Sequence, residues 1–352
     1  MFDDNDEAHL REVRSRTLAT LREALGDARD VAILDAPNQR NVGDSLIWEG
    51  ELAYLKSLGV NLRYVADLKG YDARDVRSAL PAGGVILLHG GGNFGDLWQG
   101  HQMHRERIVR ELPDYRIVQL SQSIFFSSES RAEQAHDLLR KHPDFHVLIR
   151  DELSMERARQ MLPDLRVTYC PDMALGFSPT VSSGAAAPDR SVLVIARADK
   201  EAASGLAAVA PDWLGERDVQ VTDWGRHAAD ARRWKNARAV ARLHHLLIVA
   251  RRRLRITPVL PRRVTERAIR TINQVNVQSA VDLYAGAPLI VVDRLHAHVL
   301  AALLGIPHVA LDNNYRKIGS VFDEYTGRFS TAHYAHSIDE AREVALAELG
   351  GR

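Results

Sequence analysis

The sequence between Val291 and Lys317 constrains the fold more than any other part of the chain. Leu289 to Val292 form an uninterrupted apolar run, which is typical of a strand covered on both faces. A helical pattern of apolar residues follows and ends at Gly305, a residue type that commonly terminates helices. His308 to Leu311 form a second apolar run. This order of strand, helix and strand predicts two parallel strands in an open α/β sheet.

Charged and polar side chains follow each of these two strands at the point where it ends. The carboxyl ends of parallel strands meet at one edge of a sheet, where open α/β sheets bind ligands. The residues that this pattern brings to the edge are Arg294, His296, Asn313, Tyr315, Arg316 and Lys317.

The side chains at this edge suit an anionic, reactive ligand. Arg294 and Lys317 are suited to a carboxylate or a phosphate, and His296 can exchange protons near neutral pH. The alternative is structural: Arg294 pairs with Asp293 in an ordinary ion pair at a strand end, and the histidines are packing residues. These residues alone leave both interpretations open.

The length and composition are those of a globular protein with more than one core. The 352 residues predict two domains, and a formal net charge of zero gives no whole-molecule argument for nucleic acid binding. The single cysteine, Cys170, fits a reducing compartment. The acidic N-terminus lacks the apolar core of a secretory signal, and no uncharged apolar run is long enough to span a bilayer. We therefore expect a cytoplasmic protein.

Strand and helix patterns alternate along the first half of the chain, and each predicted strand turns polar at its end. The predicted strands are Val31 to Leu34, Asn61 to Val65, Gly84 to His89, Arg116 to Leu120, His146 to Ile149 and Val167 to Tyr169. A stretch rich in Ser, Pro and Ala then predicts a linker at 179–190, and the pattern restarts with Val192. We predict an N-terminal domain over 1–178, a C-terminal domain over 191–337 and a closing helix over 338–352. Both domains are expected to be doubly wound and Rossmann-like, and to face a central cleft.

Two loops of the first half are candidate ligand sites. The loop DAPNQRNVGDS precedes a helix that begins near Ser45, so its backbone amides suit an anion or a sugar hydroxyl, although Asp44 could instead be only the helix N-cap. HGGGNFGD follows a buried strand, and its three consecutive glycines allow close approach to the backbone. His89, Asn93 and Asp96 surround these glycines as possible hydroxyl ligands. A tight turn without a ligand is the alternative for this loop.

One segment of the chain has a large excess of basic residues. From Arg226 to Arg270, fourteen Lys or Arg residues oppose two acids, a local excess of about +12. Four of these arginines, Arg251, Arg252, Arg253 and Arg255, flank the apolar run LLIVA. A basic amphipathic helix of this kind favours an anionic membrane surface, and we place that contact within 242–263. The alternative is a solvated helix face neutralised by acids elsewhere, whereas nucleic acid is disfavoured because no aromatic residues interleave the charges.

The motifs NVGDSLI, LHGGGNFGD, LSQSI, IRDELS, PDMAL and VDRLHAHVLAALLGIPHVALDNNYRK together resemble the polysaccharide pyruvyl transferase family, over about residues 30–325. The closing motif is most similar to members from bacterial exopolysaccharide pathways. Two features depart from the family pattern: Ala297 stands where relatives often have glycine, and the basic segment has no counterpart. The resemblance also implies the two-domain architecture of B-type glycosyltransferases, which agrees with the domains predicted above.

The resemblance implies transfer of a pyruvyl group from phosphoenolpyruvate to two hydroxyls of one sugar, giving a cyclic ketal and free phosphate. We assign catalysis to His296, as general acid, with Arg294 and Lys317. The expected donor site comprises Arg150, Arg197, Arg294, Lys317, Asn313 and Tyr315. The expected acceptor site comprises Asn41, Gly43, Asp44, His89 and Asn93. The expected acceptor is a sugar of a lipid-linked exopolysaccharide precursor at the inner face of the plasma membrane, and neither a cofactor nor a metal is expected.

Two other functions remain open at this stage. A nucleotide-sugar glycosyltransferase of the B type would use a similar cleft, but no clear acidic residue for reading a nucleotide follows the C-terminal strands. A noncatalytic scaffold that binds glycan or lipid is the second alternative. Formation of a homo-oligomer is left open by the sequence.

Overall fold

The computed structural model describes residues 3–182, 191–197, 204–209, 212–215, 217–223, 230–254, 260–312 and 316–350. The helices are α1 (Asp4–Leu25), α2 (Val42–Ser57), α3 (Ala73–Ala79), α4 (Gln99–Glu111), α5 (Glu129–Leu139), α6 (Glu152–Met161), α7 (Ala231–Leu254), α8 (Arg262–Tyr284), α9 (Leu295–Leu304), α10 (Lys317–Glu324) and α11 (Ile338–Gly350). The strands are β1 (Asp30–Leu34), β2 (Asn61–Ala66), β3 (Val85–Leu88), β4 (Gly91–Gly95), β5 (Arg116–Phe125), β6 (Phe145–Ile149), β7 (Arg166–Tyr169), β8 (Val192–Ile195), β9 (Val219–Thr222), β10 (Ile290–Val292), β11 (His308–Leu311) and β12 (Ala332–Ala335).

The first sheet contains seven parallel strands, in the order β2-β1-β3-β5-β6-β7 with β4 paired to β5. Alternate residues of its strands enter two different hydrophobic cores, as the two-residue period of a strand requires. Val31 and Ile33 enter the core shared with α1 and α2, whereas Ala32 and Leu34 enter the core on the opposite face. Helices therefore cover both faces, which confirms the predicted parallel α/β class.

The region after β3 differs from the prediction in two details. The glycine-rich loop forms β4, and β5 continues to Phe125, beyond the strand end predicted at Leu120. Gly95 permits this pairing because its φ is +118°, and a Cβ there would lie 1.7 Å from the Phe125 carbonyl oxygen. The sequence did not indicate β4 because glycines carry no periodic side-chain pattern.

Among the described residues, the second sheet contains five parallel strands, in the order β12-β11-β10-β8-β9. Its strands β8, β10 and β11 are buried throughout, which explains their unbroken apolar sequences. α9 connects β10 to β11 and ends at Gly305 in the left-handed conformation, as predicted. The short strand-helix-strand unit therefore has the form that its sequence indicated.

The helical hairpin of α7 and α8 lies between β9 and β10 in the chain but packs against α2 and β2 of the first half. Asn273 Nδ2 donates to the Pro37 carbonyl at 2.8 Å, and Asn276 Nδ2 donates to the Gln39 carbonyl at 2.8 Å. Both asparagines are buried on α8. These bonds fix the loop before α2 against a helix from the predicted C-terminal domain. Residues 183–190 of the predicted linker lie outside the described residues.

The basic segment is partly neutralised within the chain. Arg251 Nη1 donates to Asp75 Oδ1 at 2.6 Å, and Arg252 Nη2 donates to the Tyr71 carbonyl at 2.6 Å. Arg253 is exposed, and Arg255 lies outside the described residues. Two of the four arginines assigned to membrane contact therefore hold α7 against α3 and the loop before it. Among the described residues, no helix combines the length and the apolar character needed to cross a bilayer.

Candidate active site

A cavity of about 270 Å³ lies between the carboxyl ends of the two sheets. Each sheet has a point where successive connections leave in opposite directions, between β1 and β3 in the first and between β8 and β10 in the second. Loops diverge at such a switch point and leave a crevice. The residues that line the cavity are Gln39, Asn41, Gly43, Asp44, Gly92, Asn93, Trp98, His101, Arg150, Arg197, Arg294, Leu295, His296 and Lys317. The cavity thus gathers most of the predicted donor and acceptor residues.

The buried carboxylate of Asp172 contacts one cavity residue from each half of the chain. Asp172 Oδ2 accepts a hydrogen bond from Arg150 Nη1 at 2.7 Å and lies 3.3 Å from His296 Nε2. Its Oδ1 accepts from the Ala174 amide at 2.8 Å. Burial alone would raise the pKa of Asp172, but His296 and Arg150 outweigh it and lower the pKa well below its usual range. Asp172 is therefore ionised and orients the side chains of both Arg150 and His296.

His296 lies in the first turn of α9 and faces the N-terminus of α2. A Cβ on Gly43 would lie 2.9 Å from His296 Nδ1, so only glycine leaves room for the ring. Nε2 faces Asp172, and Nδ1 is the ring nitrogen on the side of Gly43. The packing alternative for His296 is not what the structure shows, since the ring lines the cavity.

Gly92 makes room between two cations. A Cβ on Gly92 would lie 3.2 Å from Arg150 Nη2 and 3.9 Å from Lys317 Nζ. Arg150 is almost fully buried, and its Nε is held by Ser123 Oγ at 2.9 Å, so the guanidinium cannot swing away. Two positive groups therefore converge over bare backbone, which is an arrangement suited to an anionic ligand.

Two more arginines complete the cationic side of the cavity. Arg294 Nη2 donates to Asp223 Oδ2 at 2.9 Å, rather than forming the ion pair with Asp293 considered from the sequence. Asp293 instead accepts from the Arg197 amide at 2.8 Å and from Ser204 Oγ at 2.6 Å. Asp293 thereby holds the backbone at Arg197 and the side chain of Ser204. Asn313 and Tyr315, which the sequence assigned to the donor site, lie outside the described residues.

The N-terminus of α2 forms the opposite wall. Asn41, not Asp44, is the N-cap: its Oδ1 accepts from the amides of Gly43 at 3.0 Å and Asp44 at 3.4 Å. Asp44 Oδ2 accepts from Asn41 Nδ2 at 2.8 Å and from Gln39 Nε2 at 3.2 Å. The capping alternative for Asp44 is therefore wrong, because Asn41 occupies that position. The Asp44 carboxylate lines the cavity instead.

His89 does not reach the cavity, which corrects its assignment to the acceptor site. Its Nδ1 lies 2.9 Å from Glu51 Oε2, and the other oxygen of Glu51 accepts from the Gly90 amide at 2.8 Å. Burial alone would lower the pKa of His89, but Glu51 outweighs it and raises the pKa to about 9. This buried ion pair fastens α2 to the loop after β3, so His89 has a structural role.

Asn93 lines the cavity and is held by a buried polar network. Its Oδ1 accepts from Arg105 Nη2 at 2.8 Å and from Gln122 Nε2 at 3.0 Å. Arg105 Nε in turn donates to Gln119 Oε1 at 2.6 Å. With its oxygen occupied in this way, the Asn93 amide group is oriented before any ligand binds. Asp96, also named from the sequence, instead accepts from Ser127 Oγ at 2.5 Å and does not line the cavity.

A histidine and aspartate pair at the cavity was missed by the sequence analysis. His101 Nδ1 lies 2.7 Å from Asp35 Oδ2. Burial alone would lower the pKa of His101, but Asp35 outweighs it and raises the pKa. Asp35 follows β1 in the left-handed conformation, with φ of +66°, an uncommon backbone for a residue other than glycine. The strand end could have indicated Asp35, but no local pattern indicated His101.

Trp98 is a third residue that the sequence analysis missed. It lines the cavity with 40% of its surface exposed, just before α4. A partly exposed indole beside polar groups can stack against the apolar face of a sugar ring. Among the described residues, no group of three or more histidine, cysteine, aspartate or glutamate side chains could hold a metal ion.

The comparison with models of protein families identifies the family of this chain. The model of the family described as Polysaccharide pyruvyl transferase matches residues 41–315, which is most of the chain and includes all the cavity residues except Gln39 and Lys317. The chain belongs to the polysaccharide pyruvyl transferase family. It is therefore a transferase, as its motifs indicated.

Individual pyruvyl transferases are similar over most of the chain. Pyruvyl transferase 1 of Schizosaccharomyces pombe is 27% identical over 297 residues, covering 81% of this chain and 67% of that protein. EpsO of Bacillus subtilis, which carries a provisional pyruvyl transferase name, is 27% identical over 305 residues, covering 87% of this chain and 88% of EpsO. An uncharacterized Klebsiella pneumoniae structure has a TM-score of 0.55 at 15% identity, covering 92% of this chain and 99% of that one. The last likeness supports the fold alone.

Proposed function

We propose that this pyruvyl transferase uses phosphoenolpyruvate as donor and forms a cyclic ketal across two hydroxyls of one sugar. The observation that carries the proposal is the space over Gly92, where Arg150 Nη2 and Lys317 Nζ converge beside His296. Phosphoenolpyruvate carries a carboxylate and a phosphate on one carbon. A site with several cations around a proton-exchanging group is matched to that donor.

The donor would be held by cations from both sheets. Arg150 comes from the end of β6, Arg197 and Arg294 follow β8 and β10, and Lys317 begins α10. Arg150 and Lys317 are the pair closest to Gly92, so we assign them to one anionic group of the donor. Arg294 and Arg197 are assigned to the other group. The negative charges of the donor's carboxylate and phosphate are then both neutralised by cations before the phosphate leaves.

His296 is the proposed general acid. Its proton passes from Nδ1 to the methylene carbon of phosphoenolpyruvate, and the first sugar hydroxyl attacks the carbon that bears the phosphate. The C–O bond to phosphate then breaks, and the second hydroxyl attacks the same carbon to close the ketal. The two hydroxyls release two protons, of which one restores His296 and the other leaves with phosphate. Every atom of the ketal and of the free phosphate comes from the two substrates, so the proposed reaction needs no cofactor.

The acceptor would lie on the side of the first sheet. Asp44 and Asn93 offer polar groups to sugar hydroxyls, and Trp98 offers a stacking surface. We place the sugar between these residues and His296, in a cleft of the kind found between the domains of B-type glycosyltransferases. A lipid-linked precursor of an exopolysaccharide remains our proposed acceptor.

A direct assay separates this function from its alternatives. Purified protein is incubated with phosphoenolpyruvate and oligosaccharide acceptors, and products are analysed by mass spectrometry together with released phosphate. We expect pyruvylated sugar and phosphate in equal amounts. In parallel, phosphoenolpyruvate rather than a nucleotide sugar should raise the melting temperature. Stabilisation by nucleotide sugars alone would favour a glycosyltransferase, and binding of glycan without any product would favour a scaffold.

Gly92→Ala tests the observation on which the proposal depends. The new methyl group would enter the space between Arg150 and Lys317, so we expect KM for phosphoenolpyruvate to rise about tenfold or more, with little change in melting temperature. Gly100→Ala is the matched control because no atom lies within 4 Å of its added Cβ. An unchanged donor KM in Gly92→Ala would place the donor elsewhere.

A further inference from the structure

The outward face of α7 combines exposed leucines with cations. Leu243, Leu246 and Leu254 are 47%, 64% and 65% exposed, although leucine side chains are usually buried. Their spacing of three and eight residues places them on one stripe of the helix. None of the three belongs to a hydrophobic core of the described residues. The stripe is therefore presented to the surroundings of the protein.

The charges beside this stripe all have one sign. α7 contains eight Lys or Arg residues and no aspartate or glutamate. Lys235, Arg242 and Arg253 are exposed, and helical geometry places all three on the same flank of the leucine stripe. The outward face thus joins apolar and cationic side chains, and α7 itself contributes no acid to that face.

The inward face of α7 is already occupied, so the two faces have different roles. His244 Nε2 lies 3.3 Å from the Gly70 carbonyl, and Arg251 pairs with Asp75. Ala241 and Ile248 are buried on the same side. These contacts hold the helix in place and turn the leucine stripe outward.

We propose that the outward face of α7 docks the enzyme on an anionic lipid bilayer. Leucine side chains enter the boundary between headgroups and acyl chains, while Lys and Arg beside them contact anionic headgroups. Nucleic acid offers phosphates but gives no favourable contact to three exposed leucines, so the leucines favour lipid. The docking face comprises Lys235, Arg242, Leu243, Leu246, Arg253 and Leu254. It differs from the segment chosen from the sequence, since Arg251 contacts Asp75 of α3 and Arg252 contacts the Tyr71 carbonyl before α3.

The proposal is tested by co-sedimentation of the whole protein with vesicles. Vesicles of phosphatidylglycerol and phosphatidylcholine in equal parts are compared with vesicles of phosphatidylcholine alone. We expect binding to the anionic vesicles that weakens as salt rises. Each interfacial cation contributes about fivefold to partitioning, so the triple variant Lys235→Gln, Arg242→Gln, Arg253→Gln should bind on the order of a hundredfold more weakly. The triple variant Leu243→Gln, Leu246→Gln, Leu254→Gln should also lose binding.

A matched variant removes three exposed arginines from other parts of the surface: Arg110→Gln, Arg140→Gln, Arg159→Gln. It should bind as well as the wild type, and circular dichroism should show that all variants are folded. Absence of binding to anionic vesicles, or an equal loss in the matched variant, would overturn the proposal. If the leucine variant instead loses self-association while its vesicle binding is unchanged, the face is an interface between two copies of the chain. Since none of these measurements uses turnover, they are independent of the proposed reaction.

Discussion

His296→Gln is expected to lower turnover by about two to four orders of magnitude while the protein stays folded. Glutamine can keep a hydrogen bond to Asp172 through its amide, but it cannot deliver a proton to the donor carbon. The loss should therefore appear in kcat more than in the KM for phosphoenolpyruvate. Steady-state assays of phosphate release would measure both constants.

The control for this prediction is His136→Gln, which changes a half-exposed histidine on α5 that does not line the cavity. Its kcat should equal that of the wild type. The melting temperatures of both variants should lie close to that of the wild type, because neither change opens a large cavity. Turnover of His296→Gln within tenfold of the wild type would mean that another group protonates the donor.

Arg150→Met is expected to weaken both folding and donor binding. Arg150 is buried against Asp172, and removing it leaves a buried carboxylate without its closest cation. Breaking a buried ion pair in this way costs about 3–5 kcal/mol of the free energy of unfolding. The donor also loses the Nη2 group beside Gly92, so its KM should rise at least tenfold. Urea unfolding and donor titration would measure the two effects.

The stability effect depends on pH in a definite direction. The pKa of Asp172 is lowered in the folded protein, so its contribution to stability is present above its unfolded pKa and is lost as pH falls through the folded value. Arg150→Met removes part of that contribution, so the deficit should be largest near neutral pH and smaller in acid. Arg166→Met, which changes a half-exposed arginine paired with Glu23, should cost less than about 1 kcal/mol.

Arg150→Lys keeps the prediction testable if the methionine variant does not fold. Lysine retains a positive charge near Asp172 but lacks the fork that reaches Ser123, Asp172 and the cavity together. It should fold with a smaller loss of stability and still show a raised donor KM. A lysine variant with wild-type donor KM would remove Arg150 from the donor site.

The position of strand ends in a parallel sheet explains why the sequence could predict several residues of the cavity. The residue that follows a buried strand must lie at the sheet edge, so Arg150, Arg294 and His296 could be assigned to one rim before their partners were known. The same argument failed for His89, which also follows a strand. Glu51, from the next helix layer, approaches His89 and encloses it, and nothing near His89 in sequence indicates that approach.

The sequence alone determined the parallel α/β class and most of the residues that reach the cavity, because apolar runs and polar strand ends are local properties of the chain. Tertiary structure alone decided which of those residues meet. It paired Asp35 with His101, set Asp172 between Arg150 and His296, and turned Arg251 toward Asp75 and the leucines of α7 outward. These pairings depend on how elements distant in sequence pack together, and no periodic pattern within one segment encodes that packing.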